Sequence, residues 1–276
     1  MTKVLDSTEL YDEIIAEIKE EIAQLTVAPK ISILRFGAKG ADLAYERGIK
    51  KSADLLGIGY EIHELDENAE EDSVLNLIDK INKDDSIGGI LVFRPYPDHL
   101  DAHRINNLIS PKKDLDCVNP LNKAKVFSGD VEGFIPLAPK ASIRLLDHYG
   151  IDLEGKDCVV INHSDVVGKP LEMILLTRWA TVTLCHVKTR DLKFHTKNAD
   201  IVFTAMGVAE MLDESYFTEN STVIDIGLSK NAEGKWRGDL NAAAVDGKIK
   251  AYSPVPKGVG SITNLLLLQS SLNFYK

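Results

Sequence analysis

The sequence predicts an α/β protein of two domains, each built on a parallel sheet. Three observations carry this. Short apolar runs without polar alternation recur along the chain, as strands buried on both faces require. Segments of helix length follow the early runs, with apolar residues three and four apart. Prolines gather at Pro95, Pro97, Pro111, Pro120, Pro136 and Pro139, where charged turn residues separate short apolar pieces, and this composition marks a crossing between domains. With 276 residues the chain has the length for two ordinary domains.

The first helix is expected over residues 8–25, where Leu10, Ile14, Ile18, Ile22 and Leu25 form one stripe opposite an acidic face and Asp6 and Ser7 stand as cap candidates. An apolar run at 30–36, a helix at 41–56, a strand at 60–65, a helix at 70–82 and a buried strand at 88–93 complete a β-α-β-α-β series. After the proline-rich crossing, a helix at 140–149 leads to a second series. It comprises strands at 158–161, 181–185, 201–205 and 222–226, with a helix at 168–178 between the first two. A last strand at 249–252 precedes the loop SPVPKGVGS and an apolar helix at 262–273, expected to pack back on the first domain.

Composition excludes several classes. Net charge is −10 with no Lys/Arg cluster, so no nucleic-acid partner is expected. No run approaches the roughly 18 apolar residues of a bilayer span, and the acidic N-terminus lacks an apolar signal core, so no membrane association and a cytoplasmic location are expected. The three cysteines, Cys117, Cys158 and Cys185, form no CxxC pair, and no His/Asp/Glu set has ligand spacing, so no metal is expected. Neither a Walker loop nor a GxSxG elbow is present.

Two regions remain as sites. A doubly wound sheet binds ligands beyond the carboxyl ends of its strands, and residues 161–170 fit: the run CVVI ends at Asn162, the loop NHSDVV follows, and Gly168 lets a helix start close against the strand. This loop lacks GxGxxG. The competing reading is an ordinary βα turn in which Asn162 tolerates unusual dihedrals. The other region pairs Tyr45, on the helix after the tight turn FGAKG with Arg47, Lys50 and Lys51 nearby, with the Lys113-Asp114-Leu115-Asp116 stretch of the crossing. Solvated basic residues and a turn-capping aspartate are the plainer alternatives.

Read in order, GADLAYERGIKKSADLLGI, GGILVFRPYP, SPKKDLDCVNPLN, FIPLAPKASIRLL, VVINHSDVVGKPL, VIDIGL and SPVPKGVGSIT resemble the successive motifs of the methylenetetrahydrofolate dehydrogenase/cyclohydrolase family over nearly the whole chain. The resemblance implies an N-terminal α/β folate domain, residues 1–119 completed by 261–276. It also implies a Rossmann-type dinucleotide-binding domain over 120–260, a folate substrate held between the two, and a homodimer. It assigns Tyr45 and Asp116 as catalytic and substrate-binding residues, with Pro256 and Gly258 as further substrate contacts. Asn162, His163, Ser164, Val166, Gly168, His186, Leu228 and Thr263 are assigned to the cofactor.

Departures from the family pattern refine this. The family lysine four residues after the tyrosine, which serves the cyclohydrolase step, is Ile49 here, and the glutamine that orients it is Phe93. Lys50 does not replace it, because residues five apart on a helix point about 140° apart, against about 40° for residues four apart. Where NADP-linked members place an arginine and a serine, this chain has His163 and Val187, which offer a ribose phosphate little compensation. The chain therefore resembles the monofunctional, NAD-linked members. The expectation is hydride transfer from 5,10-methylenetetrahydrofolate to NAD, with NADP as the alternative cofactor and cyclohydrolase activity lost. Leu137-Ala138, Lys257 and Ser261 depart from the family pattern as well, which keeps open a non-catalytic or different-substrate paralogue binding a pterin-like ligand.

Overall fold

The computed structural model describes residues 1–276. The chain divides into two compact units: a larger one of Met1–Asp12, Val126–Gly129 and Pro136–Thr263, and a smaller one of Glu13–Lys125, Asp130–Ile135 and Asn264–Lys276. In chain order the elements begin β1 (Lys3–Val4), α1 (Thr8–Ala23), β2 (Lys30–Phe36), α2 (Gly40–Leu56), β3 (Gly59–Leu65), α3 (Glu71–Asn82), β4 (Gly89–Val92), α4 (Ala102–Leu108) and α5 (Pro120–Phe127). They continue with α6 (Leu137–His148), β5 (Asp157–Ile161), α7 (Gly168–Thr177), β6 (Thr181–Cys185), α8 (Leu192–Lys197), β7 (Ile201–Thr204) and β8 (Thr222–Asp225). The last are β9 (Ser229–Lys230), β10 (Trp236–Arg237), α9 (Ala242–Val245), β11 (Ala251–Tyr252) and α10 (Thr263–Ser271).

The smaller unit carries a parallel sheet in the order β3-β2-β4, with Ile33 opposite both Ile62 and Leu91. All seven residues of β2 but the first are buried, which explains why its sequence shows no alternation. Helix α3 buries Val74, Ile78 and Ile81, and these join Leu34, Ile90 and Ile105 in one core. Helix α2 ends where Gly57 takes a left-handed conformation at φ +72°, a position that favours glycine.

The C-terminal residues Asn264–Lys276 belong to this unit. Tyr275 accepts a hydrogen bond from the Lys30 amide (3.0 Å) and donates to the Ser86 carbonyl (2.8 Å). Leu265, Leu266, Leu267 and Leu268 are all fully buried, as a helix apolar on every side must be. The proline-rich crossing contains two helices that the sequence did not reveal, α4 and α5, each too short to show periodicity. Their signals are caps: Asp101 accepts from the His103 amide (2.8 Å), and Pro120 opens α5 with Asn119 accepting from the Leu121 amide (2.8 Å).

The larger unit holds a six-stranded parallel sheet in the order β1-β11-β8-β7-β5-β6. From β5 the chain moves outward to β6, then crosses back to β7 on the other side of β5. The strand order reverses there, and in open α/β sheets the crevice beyond the strand ends at such a reversal is the usual ligand site. Strand β1 pairs with β11, Lys3 opposite Ala251, so the first residues belong to this sheet, a pairing with no local signature. Val159, Val202, Val223 and Val245 form its core.

Candidate active site

In the smaller unit, Tyr45 projects from α2 and Phe93 follows β4, their ring centroids 5.3 Å apart with planes inclined at 34°. Tyr45 remains 38% exposed, whereas Phe93 is buried and Ile49, one helical turn along from Tyr45, is fully buried. Lys50 points elsewhere: its ammonium lies 3.9 Å from Glu46 Oε1 and 5.6 Å from the centre of the Tyr60 ring. The helix is held at this rotation by Glu46, buried next to Tyr45, whose Oε2 accepts from Arg35 Nε at 2.7 Å. Arg35 also donates to Glu64 Oε2 at 2.7 Å.

The two aspartates of the crossing divide the roles that the sequence left open. Asp114 is the turn-capping residue: its carboxylate accepts from the amides of Val118 and Asn119 and from Asn122 Nδ2, each at 2.9 Å. Asp116 accepts no backbone amide. Its Oδ2 accepts instead from Arg94 Nη2, so the pair brings an anion and a cation beside the Tyr45–Phe93 rings. Burial raises the Asp116 carboxyl above its ordinary range, with Arg94 opposing. Burial likewise raises the Tyr45 phenol, with the Asp116 charge adding to the rise. Tyr45 is therefore a neutral hydroxyl near pH 7.

In the larger unit, Asn162, His186, Ala205 and Ile226 each directly follow a strand, and because the strands are parallel their loops share one edge of the sheet. The reading of Asn162 as a residue of unusual dihedrals is not what the structure shows, since it is absent from the positive-φ positions. It is a brace. Asn162 Oδ1 accepts from the amides of Ser164 (2.8 Å) and Gly168 (3.0 Å) and from the Ser164 hydroxyl (2.7 Å). Its Nδ2 donates to the Ala205 carbonyl at 2.6 Å, linking the ends of β5 and β7 where the strand order reverses.

A Cβ at position 168 would overlap the Asn162 carbonyl, so α7 starts against the strand only because Gly168 has none. The amides of Val167 and Lys169 are taken by Ser164, while that of Val166 has no acceptor within the protein. His163 and His186 lie on neighbouring loops, ring centroids 5.6 Å apart, and Val187 is 90% exposed.

Leu228 is exposed beyond β8. Thr263 opens α10 and donates to the Gly260 carbonyl at 3.0 Å. Pro256 and Gly258 sit in the loop after β11, and there Lys257 is left-handed at φ +76°, which costs a non-glycine residue roughly 1 kcal/mol. A Cβ on Gly258 would overlap the Pro254 carbonyl. The residues expected to touch substrate thus divide: Tyr45 and Asp116 belong to the smaller unit, Pro256 and Gly258 to the larger.

Three features escaped the sequence reading. Arg94 lies 22 residues from its partner Asp116. Asp225 and Asp239, both buried, are the second. Asp239 accepts from the Thr204 hydroxyl (2.8 Å) and the amides of Met206 (2.6 Å) and Val208 (2.9 Å), fixing the loop after β7. Asp225 accepts from the amides of Gly227, Asp239 and Leu240, and burial, with Asp239 adding, pushes its carboxyl up to about 7. An acidic residue ending an apolar strand run was the available signal. Lys188 and Arg190 are the third, two exposed cations on the His186 loop.

Residues 5–116 match the tetrahydrofolate dehydrogenase/cyclohydrolase catalytic domain, and residues 136–276 match the NAD(P)-binding domain of the same name. The chain belongs to the tetrahydrofolate dehydrogenase/cyclohydrolase family. It is 47% identical over 272 residues to the bifunctional protein FolD of Clostridium botulinum, covering 98% of this chain and 96% of that one. The crystal structure of bifunctional FolD from Campylobacter jejuni superposes with a TM-score of 0.96 at 34% identity, covering 100% of this chain and 99% of that one. The Trypanosoma brucei enzyme complexed with NADP and an inhibitor matches at 0.92 and 26%, covering 99% and 97%.

Proposed function

We propose that the chain is a methylenetetrahydrofolate dehydrogenase that has lost the cyclohydrolase step and prefers NAD to NADP. One observation carries the loss: an apolar Ile49, fully buried, stands where the family has its lysine, while Phe93 fills the glutamine position beneath Tyr45 and Lys50 is engaged by Glu46 and Tyr60. Adding water to a methenyl carbon calls for a group that can take and give a proton. A phenyl ring and an alkyl chain at positions 93 and 49 cannot do so, and the phenol of Tyr45 resists ionisation.

Hydride transfer asks instead for two ligands held in alignment with water kept out. On this reading the smaller unit takes the folate. Tyr45 and Phe93 supply an apolar wall for the aminobenzoyl part, and Asp116 accepts hydrogen bonds from the pterin. The larger unit takes the dinucleotide, and its residues fit that group: Gly168 lets α7 start close against the strand, Val166 keeps a free amide, and Asn162 braces the loop across the strand reversal. The nicotinamide, when bound, accepts the hydride. His163 and Val187, lacking a guanidinium and a hydroxyl, support the preference for NAD.

The test is a spectrophotometric assay with methylenetetrahydrofolate and each cofactor, read at once for reduced cofactor and for methenyl-folate. The reading expects the two to accumulate together, faster with NAD. Reduced cofactor without methenyl-folate would contradict it.

A further inference from the structure

We propose that Arg94 is a specificity-determining residue that, together with Asp116, reads the 2-amino-4-oxo edge of the pterin, with Arg94 donating to the 4-oxo group. This rests on the folate reading above and extends it to a residue that the family pattern does not supply, since Arg94 stands where the resembling motif GILVQLPLP has leucine.

The contact between the two side chains is one-sided. Arg94 Nη2 donates to Asp116 Oδ2, while Asp116 Oδ1 receives no donor from the protein and Arg94 Nε and Nη1 have no acceptor in it. The pair therefore presents two carboxylate oxygens followed by a guanidinium N–H. The pterin edge presents an amino N–H, a ring N–H and a carbonyl oxygen in a row, and the two patterns are complementary. Arginine suits this role because its fork is planar and its donors are fixed in one plane.

The pair is also held in place. Phe93 donates its amide to the Leu34 carbonyl (2.9 Å), and Leu115 donates to Ile90 (3.2 Å), so the segments carrying Arg94 and Asp116 hang from the same sheet. Both side chains are about one-third exposed or less, 32% and 26%. Both charges act on the phenol of Tyr45, which places the pair beside the aromatic wall. An ordinary surface ion pair would contribute little to stability and nothing to recognition.

A 4-amino pteridine reverses two positions of the edge: the ring N–H facing Asp116 becomes an acceptor, and the acceptor opposite Arg94 becomes a donor. The experiment measures dissociation constants of folic acid and 4-aminofolic acid for the wild type, Arg94→Leu and Arg94→Lys, near pH 7, where both rings are uncharged. A charge-assisted hydrogen bond lost from one ligand alone corresponds to roughly a tenfold to hundredfold change. Arg94→Leu is expected to weaken folic acid by that factor and 4-aminofolic acid by less than about threefold, with Arg94→Lys between the two. NAD binding, measured on the same variants, reports that they are folded.

Equal weakening of both ligands, or none, while the wild type binds folic acid, would overturn the role of Arg94 and leave the folate reading standing. A wild type that binds NAD but neither pteridine would overturn the folate reading and this inference with it.

Discussion

The rings of Tyr45 and Phe93 stand 5.3 Å apart, inclined by 34°, on the side of α2 where the family's lysine would be served by its glutamine. On the proposed reading, this aromatic contact stands where the family has a hydrogen-bonding pair. It is worth about 0.5–1.5 kcal/mol beyond its buried area and needs no ionisable partner. On that reading, Ile49 and Phe93 exchange a polar pair for an apolar one, which a dehydrogenase can absorb and a hydrolase cannot.

If Asp116 anchors the pterin, Asp116→Ala should weaken folate binding roughly tenfold to a hundredfold and leave NAD binding nearly unchanged, since charge-assisted bonds contribute about 1.5–3 kcal/mol. Isothermal titration with each ligand checks it. Asp114 already caps the turn, so the melting temperature should hardly move, and equal loss of both ligands would return Asp116 to a structural role.

NAD should bind tenfold to a thousandfold more tightly than NADP by calorimetry, the span of one or two missing charge-assisted bonds, and His163→Arg should narrow the gap. What NADP affinity remains is expected to depend on Lys188 and Arg190, so it should fall with salt more steeply than that of NAD. Tighter binding of NADP by the wild type would refute the preference.

Gly168→Ala should destabilise the larger unit and abolish dinucleotide binding, because the added methyl would overlap the Asn162 carbonyl and overpacking of this kind costs about 1–3 kcal/mol or more. Wild-type NAD affinity in this variant would show that α7 does not need its close start.

Asp225 links stability to pH. Its carboxyl is raised from 3.8 to about 7 in the folded protein, so the folded state holds a proton that the unfolded state releases. The contribution is therefore full below the unfolded value and is lost as pH rises through about 7. Comparing chemical denaturation of the wild type and Asp225→Asn, the wild type's advantage should be largest near pH 5 and smaller at pH 8, by about 2–4 kcal/mol at most. An advantage that grew with pH would mean the carboxylate is stabilised where it sits.

Much of the fold was legible because burial on both faces leaves a strong mark: β2, β4, β5, β7 and β8 were all read from unbroken apolar runs. Tyr45, Asp116 and the Asn162 loop were legible through their motifs. What escaped depends on partners far away in sequence. The pairing of β1 with β11 joins residues nearly 250 apart, the Arg94–Asp116 contact spans the crossing, and Asp239 holds a loop more than 30 residues upstream. Helices α4 and α5 were missed for the opposite reason, being too short for periodicity and marked only by their caps. Asn162 was found as a loop residue, and of its two readings only the alternative one, unusual dihedrals, gives way, since the side chain accepts three hydrogen bonds instead.

The most direct test of the central claim, an apolar pair at positions 49 and 93 in place of a hydrolytic one, is the decay of added methenyltetrahydrofolate at neutral pH with and without the protein. The account predicts the same rate in both, from a preparation that reduces NAD with methylenetetrahydrofolate. Decay clearly faster with the protein present would contradict it.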